Sequence, residues 1–176
     1  MFDLTVSAYI RNLIHLKNIL TKAQAWQETS GIKDEALCAA HLGVDQFGLA
    51  RQIQMTADNA KKGSATLCGV DAPVFEDNEK TLGELQARLD KTIDFLNTLT
   101  PEMVKDDLET RRVPFTWVPG KGFTAKFYVE QYTLSNFYFH YVTAYAILRN
   151  FGLSIGKQDY MSLELVDLTQ ESSPIS

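Results

Sequence analysis

The chain has 176 residues, 45% hydrophobic and 22% charged, with a formal net charge of -5, enough for one globular domain with a sizeable core. Its acidic residues are scattered, which gives no electrostatic footprint for nucleic acid or for an anionic membrane surface. No apolar run reaches membrane-spanning length, and the start, MFDLTVSAYIRNLIHLKNIL, places Asp3, Arg11, His15 and Lys17 where a secretory signal needs an uninterrupted apolar run.

Apolar residues at Val6, Tyr9, Leu13, Leu16, Leu20 and Ala23 recur at spacings of three and four, which predicts a first helix over about residues 2–27. Ser30-Gly31 stops it, and a short irregular segment with Leu37, Cys38 and His41 follows. Asp45 stands where an N-cap belongs, ahead of a second helix running to about Leu67. The short first loop makes these two helices antiparallel neighbours. Gly69 and Asp71-Ala72-Pro73 break the pattern, and the acidic loop VFEDNEK leads to a third helix from about Thr81, with Leu82, Leu85, Leu89, Ile93 and Leu96 on its stripe.

Between Arg111 and Phe127 the period changes to two: Val113, Phe115 and Trp117 alternate, PGKG turns, and Phe123, Ala125 and Phe127 follow, predicting a hairpin. Thr124 caps a fourth helix to about Phe151, ended by Gly152 and apolar nearly all round, as expected of the most buried helix of a bundle. The tail from Ser154 is polar towards its end and is expected to be partly disordered or to pack on a neighbour. Four long helices with little strand predict an all-α four-helix bundle over residues 1–160, with a C-terminal tail over 161–176. Cys38 and Cys68 have no CxxC or metal-ligand spacing, so they are expected to be unpaired thiols in a reducing compartment, the cytoplasm.

Side chains on facing helices meet in a bundle core, the usual place for a site in this architecture. Asn136 and His140, one turn apart on the fourth helix, share a face with Thr133, Thr143 and Ile147; Gln52, Thr56 and Asn59 form a second polar row on the second helix. Unpaired buried polar groups cost about 1–3 kcal/mol each, so such rows either bond to each other or face a wet cavity. Gln52, Asn59, Asn136, His140, Tyr138 and Tyr141 are therefore candidate ligand-binding residues, the alternative being a core histidine satisfied in a structural network.

A divalent metal needs at least three converging ligands, and the chain has three histidines. His15 reads as a surface residue and His41 lies in a loop, so His140 is at most a weak metal candidate and no cofactor is expected. No serine lies in a GxSxG elbow and there is no Gly-rich phosphate loop. Arg51, Arg111 and Arg112 are candidates for holding an anion near one end of the bundle.

The runs NFYFHYVTAYAILRNFG and ARQIQMTADNAKKG and the loop VDAPVFEDNEKTLGELQARL resemble an uncharacterised bacterial and fungal branch of the DinB-like superfamily, across about residues 4–160. The resemblance implies a bundle with a long crossover between helices two and three, and commonly a homodimer. Many members of the wider superfamily bind a divalent metal through one histidine on helix two and an HxxxH pair on helix four. By that resemblance His140 stands at the second histidine of the pair, Asn136 replaces the first, and the helix-two position falls between Gln52 and Met55, where there is no histidine. Three functions are weighed: a small-molecule-binding bundle that needs no metal; an enzyme of the hydrolase or thiol-transferase kind, using His140 as general base with or without a metal completed by His41 or Asp58; and a structural or interaction module.

Overall fold

A computed structural model describes residues 1–161. The helices are α1 (Val6–Ser30), α2 (Asp34–Ala39), α3 (Leu49–Cys68), α4 (Leu82–Asn97), α5 (Ala125–Phe127), α6 (Leu134–Phe151) and α7 (Lys157–Tyr160), and a two-stranded antiparallel hairpin, β1 (Arg112–Pro114) with β2 (Gly122–Thr124), precedes α5. Between α5 and α6, Tyr128–Thr133 winds as a π-helix. The expected C-terminal tail, past Met161, lies outside the described residues.

α1, α3, α4 and α6 form the bundle. The stripe of α1 is buried as its periodicity requires, and with Leu85, Leu89 and Leu96 of α4 and Phe137, Tyr141 and Ile147 of α6 it joins one apolar core. α4 begins at a capping box: Thr81 Oγ1 accepts from Glu84 N at 3.1 Å, and the Glu84 carboxylate accepts from Thr81 N at 3.0 Å. α3 is capped by Gly48 rather than the expected Asp45. The reason is close packing: a Cβ on Gly48 would lie 3.0 Å from the carbonyl oxygen of Cys38, and the next amide, Leu49 N, donates to Ala40 O at 2.9 Å.

The helix order differs from the expected hairpin of first neighbours. α1 packs mainly on α4, antiparallel, with Lys17 paired to Asp90 and Gln86 Nε2 donating to Thr21 Oγ1 at 2.9 Å. The segment joining α1 to α3 contains α2 and is long enough to carry α3 to the diagonal position. From α3 the chain doubles back: Lys61 Nζ donates to Pro73 O at 3.0 Å, and Gln54 Nε2 to Glu79 Oε2 at 2.8 Å, so residues 69–81 retrace α3 towards its start. α4 therefore runs parallel to α3, which gives an up-down-down-up bundle with the long crossover that the resemblance implied.

Two further expectations are corrected. α6 is not the most buried helix: its outer row exposes Phe139 and Val142, and α3 buries more of its length. The second strand stops at Thr124, whose Oγ1 accepts from Phe127 N at 3.1 Å and turns residues 125–127 into helix instead of strand. Beyond Gly152 the chain folds back through α7 onto α1, and Lys22 pairs with Asp159.

Candidate functional site

Of the two polar rows, one pair meets. His140 Nδ1 lies 2.7 Å from Gln52 Oε1 across the α3–α6 interface. Gln52 Nε2 donates to Phe47 O at 3.1 Å, which turns Oε1 towards the ring and makes it the acceptor. Nδ1 thus carries the proton and Nε2 the lone pair. His140 is 5% exposed, and burial, helped by the positive charge of Arg51, lowers its pKa from 6.5 to about 4. The imidazole is neutral at pH 7. It borders a cavity of about 200 Å³ lined also by Gln52, Phe139 and the pre-α3 residues Asp45, Gln46 and Phe47.

The other candidates lie elsewhere. Asn59 Nδ2 donates to Met55 O at 2.8 Å and Asn136 Nδ2 to Tyr132 O at 2.7 Å, so both amides bond to their own helices. Thr56 and Thr143 likewise return to the carbonyls of Gln52 and Phe139. Tyr141 points away from His140, its hydroxyl donating to Tyr160 O at 2.9 Å and its ring stacked on Tyr160 at 4.5 Å. Tyr138 accepts from Asn12 Nδ2 at 3.3 Å on that same side. His41 is exposed with Nδ1 3.0 Å from Ala39 O, and His15 borders a separate shallow cavity with Arg11 and Tyr138. Among the described residues no three His, Cys, Asp or Glu side chains converge as a metal site.

The candidate anion-holding arginines do not converge either. Arg51, at the start of α3, pairs with Asp77; Arg111 pairs with Asp107 at 2.9 Å and borders, with Arg112, a cavity at the other end of α3. Asp58 is engaged by Lys61 at 3.1 Å, Lys62 at 3.0 Å and Arg88 at 2.9 Å.

Sequence reasoning missed the charged knot around Arg88. Its side chain, 1% exposed, donates to Asp58 at 2.9 Å, Asp77 at 2.8 Å, Glu79 at 2.9 Å and the carbonyl of Glu76 at 3.0 Å. Lys61 joins through Asp58, with Nζ 3.7 Å from the ring centre of Phe75. A signal was present: Arg88 interrupts the inward row Leu85, Leu89, Thr92 of α4, opposite an acidic loop. Asp45, Gln46 and Phe47 gave no such signal, since only the folding of the loop brings them to His140.

Residues 1–161 match a domain of unknown function, DUF1993. The chain belongs to the DUF1993 family. A crystal structure of a DinB family member protein from Shewanella denitrificans matches it with a TM-score of 0.87 at 33% identity, covering 94% of this chain and 94% of that one. No curated protein matches this chain. The DUF1993 chain is thus an all-α, DinB-like bundle, and at the point where α3 and α6 face each other it holds a neutral His140 bonded to Gln52. No helix among the described residues is long and apolar enough to cross a membrane.

Proposed function

We propose that this DUF1993 protein is a small-molecule-binding bundle whose point of recognition is the His140–Gln52 pair. The observation that carries this is the fixed tautomer: Nδ1 is spent on Gln52 Oε1, and His140, through its remaining nitrogen Nε2, can offer an acceptor to a donor in the adjoining cavity. A cavity of about 200 Å³ suits a compact ligand or one end of a larger one. Asn136 and Tyr141, bonded to Tyr132 and Tyr160, stand outside this cavity, and Asn59, held by Met55, borders a different cleft.

The three-histidine metal set of the wider superfamily does not fit this donor set. One imidazole remains, Gln52 Oε1 is taken by that imidazole, and amides bind transition metals weakly. General-base catalysis by His140 is disfavoured by its pKa of about 4, because a base works best with a pKa near the working pH. As proposed, the protein works in the cytoplasm, supported by the unpaired thiols of Cys38 and Cys68, and forms a homodimer, supported by the exposed apolar side chains of Phe139, Val142 and Phe47.

The test is a ligand-observed NMR screen of polar fragments against the wild-type chain and His140→Ala, with elemental analysis of both proteins purified without tag or chelator. Fragments that bind the wild type and lose binding in His140→Ala, with no stoichiometric metal, are the expected result. Near-stoichiometric metal that disappears in the variant overturns it.

A further inference from the structure

A second cleft, larger than the one at His140, lies where the hairpin leans over α3. Its volume is about 400 Å³, within the range of small-molecule sites, and α3 lines it from Arg51 to Lys62. At 1.5 Å per residue that is a floor about 16 Å long. The opposite wall is aromatic: Phe115, Trp117, Tyr128 and Tyr132 border the space. Tyr128 and Tyr132 stack on each other at 5.4 Å, and Phe123 backs Tyr132 at 5.3 Å, so the rings are braced before anything binds. Both tyrosines belong to the π-helical run Tyr128–Thr133, an uncommon conformation concentrated at functional sites.

Three features leave the cleft open to a partner outside the fold. Trp117 is 82% exposed, although an indole ordinarily covers itself with apolar contacts. The hydroxyls of Tyr128 and Tyr132 have no hydrogen-bond partner among the described residues, and Asn59, with Nδ2 held by Met55 O, keeps Oδ1 unused beside them. On the floor, Arg51 spends one nitrogen, Nη1, on Gln54 and Asp77, and among the described residues its Nε and Nη2 have no acceptor.

The donors left open in the cleft select the ligand. The salt bridges of this region join four cations, Arg51, Lys61, Lys62 and Arg88, to three carboxylates, Asp58, Asp77 and Glu79. The charges that line the cleft itself, Arg51 and Lys62 with Asp58 and Asp77, balance, and the cations with outward-facing surface, Arg51 and Lys62, stand at the two ends of its floor. A cationic guest against the rings would meet carboxylates that already hold guanidinium and ammonium groups. An anion would instead meet the nitrogens of Arg51 that Gln54 and Asp77 do not use. We infer that the cleft between α3 and the hairpin binds a planar aromatic acid, its ring against Trp117, Tyr128 and Tyr132 and its carboxylate on Arg51. This site is separate from the His140 cavity and stands independently of it.

Isothermal titration calorimetry of the full chain with 1-naphthoate, 1-naphthalenemethanol and 1-naphthylmethylammonium tests the inference. The acid is expected to bind tightest, and Trp117→Ala should weaken it roughly fivefold to tenfold for the loss of one ring contact. Arg51→Met should remove the preference for acid over alcohol. Trp117 is too exposed for its replacement to unfold the bundle, and circular dichroism checks Arg51→Met. Failure of all three probes to bind at millimolar concentration, an amine that binds as well as the acid, or an unaltered affinity in Trp117→Ala would each overturn it.

Discussion

His140 Nδ1 and Gln52 Oε1, 2.7 Å apart, tie the middle of α6 to the first turn of α3, and Gln52 passes the link on to the carbonyl of Phe47. Replacing Gln52 by Leu removes the acceptor of a buried N–H and the donor to the loop together, and should cost about 1–3 kcal/mol in urea unfolding. Amide exchange in residues 45–48 should accelerate in the same variant.

The depressed pKa of His140 makes stability depend on pH in a defined direction. Below pH 6.5 the unfolded chain takes up a proton that the folded chain refuses until about pH 4, so stability falls as pH drops through that window. Between about pH 7 and pH 5 this group alone removes about 2 kcal/mol. His140→Gln should flatten that part of the stability profile, and an NMR titration of the wild type should show a neutral imidazole at pH 6. A His140 signal titrating near 6.5 would contradict the burial argument.

Arg88 is predicted to be the most sensitive charged position. Its removal leaves the half-buried Asp58 and Glu79 with fewer donors, and Arg88→Met should cost about 3–5 kcal/mol by chemical denaturation. Arg88→Lys keeps the charge but not the fork that reaches two acceptor groups at once, so it should recover only part of the loss.

Gly63 permits the closest approach of α3 to the turn before α6. A Cβ there would lie 3.0 Å from Thr133 Cβ and closer still to its Oγ1. Gly63→Ala should destabilise by about 1–3 kcal/mol through overpacking. Thr133→Ala in the same chain should relieve part of that, so the double variant falls short of the sum of the two single changes.

What could be read from the sequence follows the range of the interactions concerned. The α1 stripe from Val6 to Ala23 and the start of α4 at Thr81 depend on neighbours within a turn or two, and both appear as expected. Helix order is not legible in the spacing, because it depends on where residues 31–48 carry the chain. The polar rows showed the same limit: spacing identified Gln52, Asn59, Asn136 and His140, but Asn59 and Asn136 found acceptors one turn back on their own helices, and helix phase left only Gln52 opposite His140. The burial of α6 was overread because composition cannot tell a core Phe137 from an outward Phe139.

The parallel placement of α3 and α4 bears on the order in which the molecule comes together. Two parallel helices cannot zip up from a tight turn, so residues 69–81 must first be laid along α3 before Arg88 can find Glu76, Asp77 and Glu79. That segment acts as a strap, and its fastening fixes how far α4 slides along its neighbour. Unfastening it should release α4 from α3 while the α3–α6 pair stays closed, so a protease cutting within residues 69–81 would report this partial opening at denaturant concentrations below those that unfold the whole bundle.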